Sequence, residues 1–203
     1  MSNILVIRSS AMGANSVTNK LIDQYLADYT AAHPDAHVVE RNLDTDPVAH
    51  IHGNTIAGIG RPAPETDAAI PTRALSDALI AELSAADALV IGAPMYNFGM
   101  PTVLKSWFDH VLRAGATFNY TANGPEGLMK GKRALIVTAR GGIYAEGPNA
   151  ANDFVVPHLR TLLGFIGISD VHVVYAEGMA YGPDAAAKSM SAAQDALAQL
   201  VTA

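Results

Sequence analysis

The feature that most constrains the fold is a regular alternation between short apolar runs and longer segments with helical periodicity. We predict strands at the apolar runs Asn3–Arg8, His37–Glu40, Ala88–Ala93, Arg133–Thr138 and Val171–Tyr175. Strands that alternate with helices form a parallel sheet with right-handed crossovers. For five strands, this pattern predicts an α/β, flavodoxin-like fold with strand order 2-1-3-4-5 and helices on both faces of the sheet.

Capping residues and prolines predict where the intervening helices begin and end. Ser16 is positioned to cap the first helix, and Pro34 ends it. Proline is favoured in a first helical turn. We therefore expect the other helices at Pro71–Ala86, Pro101–Leu112, Asn152–Phe165 and Asp184–Val201.

Two segments do not follow the strand and helix pattern. Residues Leu43–Ile70 are rich in proline and glycine and show no clear period. So long an irregular stretch inside a domain is usually functional. Thr117–Thr121, followed by a turn at Asn123, is typical of a hairpin.

Length and composition exclude several classes of protein. At roughly 150 residues per domain, the 203 residues predict a single domain, 1–203. The chain has 13 Lys and Arg against 19 Asp and Glu and no basic cluster, so we expect no nucleic-acid partner. The absence of cysteine excludes disulfides, thiolate metal sites and thiol nucleophiles.

The longest uncharged stretch, 88–104, is broken by glycine and proline, and residues 1–7 are too short for a signal peptide core. We expect a soluble cytoplasmic protein with no membrane association.

The loop after the first strand has the composition of a phosphate site. In this fold a ligand binds beyond the carboxyl ends of the first and third strands. Ser9–Thr18 is rich in hydroxyls and leads into a helix N-terminus, where free N–H groups favour an anion. Gly13 stands alone, so neither a Walker A sequence nor GxGxxG is present, which favours a single terminal phosphate. An ordinary serine-capped turn is the alternative reading of this loop.

The loops after the third and fourth strands have the composition of a binding site for a flat ligand. In Pro94–Pro101, Tyr96 and Phe98 are positioned to wall an aromatic ring, although both are also compatible with core packing. In Ala139–Gly142, two glycines allow close backbone approach, and Arg140 is available to offset negative charge. That loop is also compatible with a flexible turn bearing a solvated arginine. All three loops are expected at one edge of the sheet.

Other candidate sites are weaker. His50 and His52 would share one face of a strand, but no carboxylate pair or third histidine accompanies them, so we expect no metal site. Asp109 and His110 are adjacent on a helix and point to different faces. There is no GxSxG motif for a hydrolase nucleophile. A bound cofactor is therefore expected to supply the chemistry.

Several segments together resemble the bacterial FMN-dependent NADH:azoreductases, which are also NADH:quinone oxidoreductases. The resemblance covers essentially the whole chain, and the run from Pro94 to Phe98 is its most specific part. The segments that carry it are Ser9–Thr18, Ala93–Phe98, Arg113–Tyr120, Asn123–Gly127, Ala139–Gly142 and Leu163–Gly167.

The resemblance implies a flavodoxin-like homodimer with one FMN per subunit at the dimer interface. The residues it assigns to the FMN phosphate are Ser10, Ser16, Val17 and Thr18. Those it assigns to the isoalloxazine are Met95, Tyr96, Asn97, Phe98, Ala139, Arg140, Gly141 and Gly142. Those it assigns to the substrate pocket are Tyr120, Phe165 and Asn97. Relatives often carry Gln and Ser in place of Val17 and Thr18, and a serine in place of Ala139, which leaves the flavin potential and the rate open.

The resemblance also implies an activity. NADH, or NADPH, would transfer a hydride to FMN and leave, and a quinone or aromatic azo compound would then take two electrons at the same site, in a ping-pong reaction. A flavodoxin-type electron carrier is the alternative. The Leu43–Ile70 loop and the 113–130 excursion disfavour it, because a carrier needs an exposed flavin edge. A flavin-free α/β phosphatase is disfavoured by the lack of cysteine.

Overall fold

A parallel five-stranded sheet forms the centre of the computed structural model, which describes residues 3–201. The strands are β1 Asn3–Arg8, β2 His37–Asn42, β3 Ala88–Gly92, β4 Phe118–Thr121, β5 Gly124–Gly127, β6 Arg133–Ala139 and β7 Asp170–Ala176. The central sheet has the order β2-β1-β3-β6-β7 with every pair parallel, while β4 and β5 form a separate antiparallel hairpin. The predicted order 2-1-3-4-5 is therefore confirmed, with β6 and β7 as its fourth and fifth strands.

Helices cover both faces of this sheet. They are α1 Val17–Ala32, α2 Ala69–Ala85, α3 Thr102–Val111, α4 Val156–Phe165 and α5 Pro183–Val201. Leu5 and Ile7 pack in the core cluster that includes residues of α2, α3 and α4, while Ile4 and Val6 pack with α1 and α5. This is why β1 is a continuous apolar run. Within residues 3–201, none of the helices has the length and apolar character needed to cross a bilayer.

The helices α2 and α4 begin two and four residues from their predicted first residues, while α3 and α5 differ by one residue. Upstream of α2 and of α4, a polar side chain accepts hydrogen bonds from backbone amides. The amide of Ala69 donates to both the carbonyl oxygen (3.0 Å) and Oγ1 (3.3 Å) of Thr66, so α2 begins two residues before Pro71. Asp153 Oδ1 accepts hydrogen bonds from the amides of Val155 (2.9 Å) and Val156 (3.1 Å), so α4 begins after Asn152. The Ser16 cap is confirmed: its Oγ accepts from the amide of Asn19 at 3.1 Å.

The irregular segment 43–70 is held against α2. Arg73 donates to the carbonyl oxygens of Gly58 (2.6 Å), Gly60 and Pro62 (2.9 Å). One short 3-10 turn, Ile56–Ile59, interrupts the segment. Residues 50–52 are not a strand, so the strand geometry considered for the two histidines there is wrong.

The predicted hairpin is confirmed, and it contacts the chain just after α4 through two glycines. A Cβ on Gly127 would lie 2.1 Å from the backbone nitrogen of Gly167. The amide of Met129 also donates to the carbonyl oxygen of Ile166 at 2.8 Å. Only a residue without a side chain at position 127 permits this backbone approach.

Candidate cofactor-binding site

The loops after β1, β3 and β6 meet at the carboxyl edge of the sheet and enclose one cleft of about 300 Å³. Its lining combines most of the residues predicted from the three loops with one residue from the loop after β7. They are Ser10, Met12, Asn15, Ser16, Val17, Thr18, Pro94, Met95, Tyr96, Ala139, Arg140, Gly141 and Met179. The structure thus brings together segments that are more than a hundred residues apart in the chain.

The first wall of the cleft is a set of hydroxyls at the N-terminus of α1. Ser10, Ser16 and Thr18 are all buried, and Ser16 Oγ lies 3.0 Å from Thr18 Oγ1. The amides of Val17 and Thr18 belong to the first helical turn and have no intrahelical acceptor. Hydroxyls, free amides and the positive end of the helix dipole together form a donor set suited to one phosphate group.

The second wall is a strained tight turn. The backbones of Tyr96 and Gly99 exchange hydrogen bonds of 2.9 and 3.1 Å, and the residues between them, Asn97 and Phe98, have φ values of 49° and 72°. A left-handed backbone at two successive non-glycine residues is costly, and such strain clusters at functional sites. Phe98 is 49% exposed, which excludes the alternative that it packs in the core.

Tyr96 connects the second wall to the first. Its hydroxyl accepts a hydrogen bond from the amide of Ala11 at 3.0 Å and lies 3.3 Å from Ser10 Oγ. The aromatic turn and the hydroxyl loop are therefore held in a defined relative position.

The third wall presents two backbone donors. The carbonyl oxygens of Gly141 and Gly142 accept from the amides of Ala180 (3.0 Å) and Gly178 (2.9 Å), in the loop after β7. No acceptor among residues 3–201 is bonded to the amides of these two glycines. They are therefore available to a ligand that carries acceptors along one edge.

Arg140 lines the cleft, and one nitrogen of its guanidinium is paired inside the protein while Nε and Nη2 have no hydrogen-bond partner within residues 3–201. Its guanidinium is fully buried, and Nη1 pairs with Asp153 Oδ2 at 2.9 Å and Glu177 Oε1 at 3.3 Å. The guanidinium carbon lies 5.1 Å from the centroid of the Tyr175 ring, and burial raises the pKa of Tyr175 although the charge of Arg140 acts to lower it. The two carboxylates balance the charge inside the protein, because an unpaired buried charge is costly.

Sequence reasoning missed the two carboxylates that support this wall. Glu177 Oε1 also accepts from the amides of Tyr144 (2.7 Å) and Ala145 (2.8 Å), and so holds the segment that follows Gly142. Glu177 comes directly after β7, so its position at the same sheet edge was a usable signal. Asp153 follows a short 3-10 turn, and nothing in its local sequence indicates its partner.

The other predicted residues are not among those that line the cleft, although the turn with Asn97 and Phe98 and the loop with Gly142 border it. Asn97, Phe98 and Gly142 are absent from its lining, as are Tyr120 and Phe165. Tyr120 is 67% exposed on the hairpin, and the ring of Phe165 packs 4.5 Å from that of Phe118. In the described chain, therefore, Tyr120 and Phe165 do not join the three loops.

Among the other candidates, Asp109 and His110 point apart as predicted. Asp109 pairs with Lys105 at 2.6 Å, while His110 is buried and donates from Nδ1 to the carbonyl oxygen of Ser106 at 3.0 Å.

The fold defines the class of the protein: a flavodoxin-like α/β protein with a cleft at the switch point of its sheet. A family described by its flavodoxin-like fold matches residues 2–201.

The FMN-dependent NADH:quinone oxidoreductase of Hyphomonas neptunium is 50% identical over 200 residues, which cover 98% of this chain and 96% of that protein. The protein of the same name from Yersinia pestis is 47% identical over 207 residues, covering 100% of both chains. The crystal structure of an azoreductase from Bacillus anthracis superposes with a TM-score of 0.92 at 32% identity, covering 99% of each chain. The chain belongs to the family of FMN-dependent NADH:quinone oxidoreductases and azoreductases.

Proposed function

We propose that this protein is a cytoplasmic FMN-dependent oxidoreductase that uses NADH, or NADPH, to reduce quinones and to cleave aromatic azo bonds. The observation that carries the proposal is the convergence of three loops of complementary chemistry on one cleft. FMN combines one terminal phosphate with a flat ring that has carbonyl acceptors along one edge. The relatives with 50% and 47% identity are named for this cofactor and for NADH and quinone.

The residues present fit FMN. The buried hydroxyls of Ser10, Ser16 and Thr18 and the first amides of α1 would hold the phosphate. Met95 and Tyr96 would flank the ring, and the free amides of the glycines at 141 and 142 would donate to its acceptor edge. The cofactor supplies the hydride chemistry when it is bound.

The chain itself binds and orients the reactants. Tyr96 and Arg140 are the only ionisable residues that line the cleft in the described part of the chain, and the Arg140 side chain is buried against carboxylates. No carboxylate, histidine or lysine is thus positioned there as an acid or base. The protein contributes placement and exclusion of water rather than proton transfer.

We propose a homodimer with the cofactor at its interface. Large apolar side chains are exposed near the cleft and on the hairpin, and a partner subunit would bury such surface favourably. They are Met12, Phe98, Tyr120, Ile143, Phe154 and Tyr181. A partner subunit would cover them and bring Tyr120 and Phe165 to a substrate pocket. Analytical ultracentrifugation of the FMN-loaded protein should show a dimer, and a fully active monomer at micromolar concentration would contradict it.

We also propose ping-pong kinetics. Nicotinamide and acceptor must each come within about 3–3.5 Å of the same ring for hydride transfer, and one narrow face cannot hold both. Double-reciprocal plots of NADH oxidation at several quinone concentrations should give parallel lines. Intersecting lines would show a ternary complex and exclude the shared site, without affecting the FMN assignment.

One measurement tests the class of the protein. The visible spectrum of purified protein should show flavin absorption, the flavin released on denaturation should be FMN, and NADH should be oxidised steadily with a quinone. Bound FMN without NADH-linked turnover would identify an electron carrier, because a carrier needs a separate reductase.

A double variant tests the phosphate site. Ser10→Ala with Ser16→Ala should weaken FMN binding, because each hydrogen bond to a charged group contributes about 1.5–3 kcal/mol. The matched control is Ser191→Ala, which changes an exposed serine on α5. Equal dissociation constants for FMN in the double variant and the parent would show that this loop does not hold the phosphate.

A further inference from the structure

A second cavity, of about 160 Å³, lies at the amino edge of the sheet, opposite the proposed FMN site. It is bounded by the first residues of β1, β3, β6 and β7 and by the later turns of α1 and α5. His33, at the end of α1, donates from Nε2 to the carbonyl oxygen of Val201 at 3.0 Å, which holds the ends of the two helices together beside the cavity. None of the predicted site residues contributes to its lining.

One side of the cavity is apolar and buried. Ile4, Val90 and Leu135 are each less than 10% exposed, and they belong to the core cluster between the sheet and the helices α1 and α5. A dry cavity of about 150 Å³ with an apolar lining accommodates a benzene ring. The size and the lining of this cavity therefore match one six-membered aromatic ring.

The other side carries two polar side chains, the mostly buried Tyr25 and the exposed Arg133. Tyr25 is only 8% exposed and lines the cavity, and its hydroxyl makes no hydrogen bond within residues 3–201. The guanidinium of Arg133 has no ion pair in the same range, although Arg133 lines the cavity and its charge acts on the pKa of Tyr25. Burial raises the pKa of Tyr25, so this hydroxyl is a neutral donor at physiological pH.

We propose that this cavity binds a small aromatic carboxylate, with the ring on Ile4, Val90 and Leu135 and the carboxylate on Arg133 and the Tyr25 hydroxyl. A planar guanidinium matches a carboxylate in geometry and charge, and the tyrosine hydroxyl donates a second hydrogen bond. His172 is exposed at the same rim, where its Nε2 lies 3.4 Å from Asp170 Oδ1, so it is not counted among the donors to the ligand. The site is independent of the proposed FMN cleft and does not require it.

The test is calorimetric titration of benzoate into the FMN-saturated protein. We expect saturable binding of benzoate to the parent. The dissociation constant should rise about tenfold or more in Arg133→Gln, because a hydrogen bond to a charged group changes affinity by about that factor. Tyr25→Phe should also weaken binding severalfold. Benzyl alcohol, which has the ring but no charge, should bind much less tightly than benzoate.

Two controls keep the result specific. Arg160→Gln removes an exposed arginine on α4 and should leave benzoate binding unchanged. Because Arg133 is exposed, its replacement should not disturb folding, and thermal melting of each variant checks this. The absence of benzoate binding to the FMN-saturated protein, or equal affinity in Arg133→Gln and the parent, would each overturn the proposal. Failure of FMN binding in the parent would refute the proposed function and leave this site to be tested in the same way.

Discussion

Replacing Asp153 should test whether the buried charges behind the cleft stabilise the protein. The side chain of Asp153 is 7% exposed, and that of Arg140 is fully buried. One carboxylate oxygen pairs with Arg140 at 2.9 Å, and the other accepts hydrogen bonds from the amides of Val155 and Val156. Asp153→Ala removes both functions, and Asp153→Asn keeps an oxygen for the two amides but removes the charge.

The expected losses follow from these contacts. Breaking a buried ion pair costs about 3–5 kcal/mol, since the partner stays buried with its charge uncompensated. Glu177 remains 3.3 Å from Arg140 and limits the loss, whereas losing the hydrogen bonds to the amides of Val155 and Val156 costs about another 1 kcal/mol. We expect Asp153→Ala to lower the free energy of unfolding by about 4 kcal/mol and Asp153→Asn by about 2–3 kcal/mol.

Urea unfolding followed by circular dichroism measures both variants. For a chain of this size, a loss of about 4 kcal/mol corresponds to a fall in Tm of roughly 8–16 °C. The matched control is Asp109→Ala, because Asp109 pairs with Lys105 on the surface with side chains 42% and 41% exposed, and such pairs contribute less than about 1 kcal/mol. A loss below about 1 kcal/mol in Asp153→Ala would refute the assigned role of the buried pair.

Two further predictions concern the hairpin and the alkaline limit of stability. Gly127→Ala places a Cβ 2.1 Å from the backbone nitrogen of Gly167, so we expect a loss of at least about 3 kcal/mol on urea unfolding. By contrast, Gly164→Ala on α4, where there is open space around the new Cβ, should raise the free energy of unfolding by about 0.5–1 kcal/mol. Equal effects of the two substitutions would contradict the close contact between Gly127 and Gly167. Burial raises the pKa of Tyr175 above 10.0, so above that pH the unfolded chain loses a proton that the folded chain keeps, and the free energy of unfolding falls. Between about pH 9 and 11, the free energy of unfolding should fall less steeply with pH for Tyr175→Phe than for the parent. Identical slopes of that free energy against pH would exclude the contribution of Tyr175.

The fold was predictable because its signals are local. In β1, residues on both faces enter a core cluster, and a strand covered on both sides must be apolar throughout. Ser16 caps α1 through its own neighbours in the chain. Once five strands alternate with helices, handedness leaves few arrangements, and the loops after β1, β3 and β6 must meet at one edge.

The helix starts show where local reasoning fails. Pro71 and Asn152 are plausible first residues, but at the observed starts of α2 and α4 backbone amides donate hydrogen bonds to Thr66 and Asp153. A proline marks a position that a helix tolerates in its first turn, but it does not fix the residue at which the helix begins. The sequence contains both the prolines and the upstream polar residues, but it does not show which of them determines the start of a helix.

What the sequence determines by itself is the set of elements, their order in the sheet and the three loops that carry the candidate site. Each of these depends on residues that are close in the chain, through periodicity, capping or turn chemistry. Only the tertiary structure decides that Arg140 turns inward to Asp153 and Glu177, and that Met179 completes the cleft. It also decides that Tyr25 and Arg133 face one cavity at the opposite edge. These contacts join residues far apart in sequence, and their energies depend on burial, which exists only after the chain has packed.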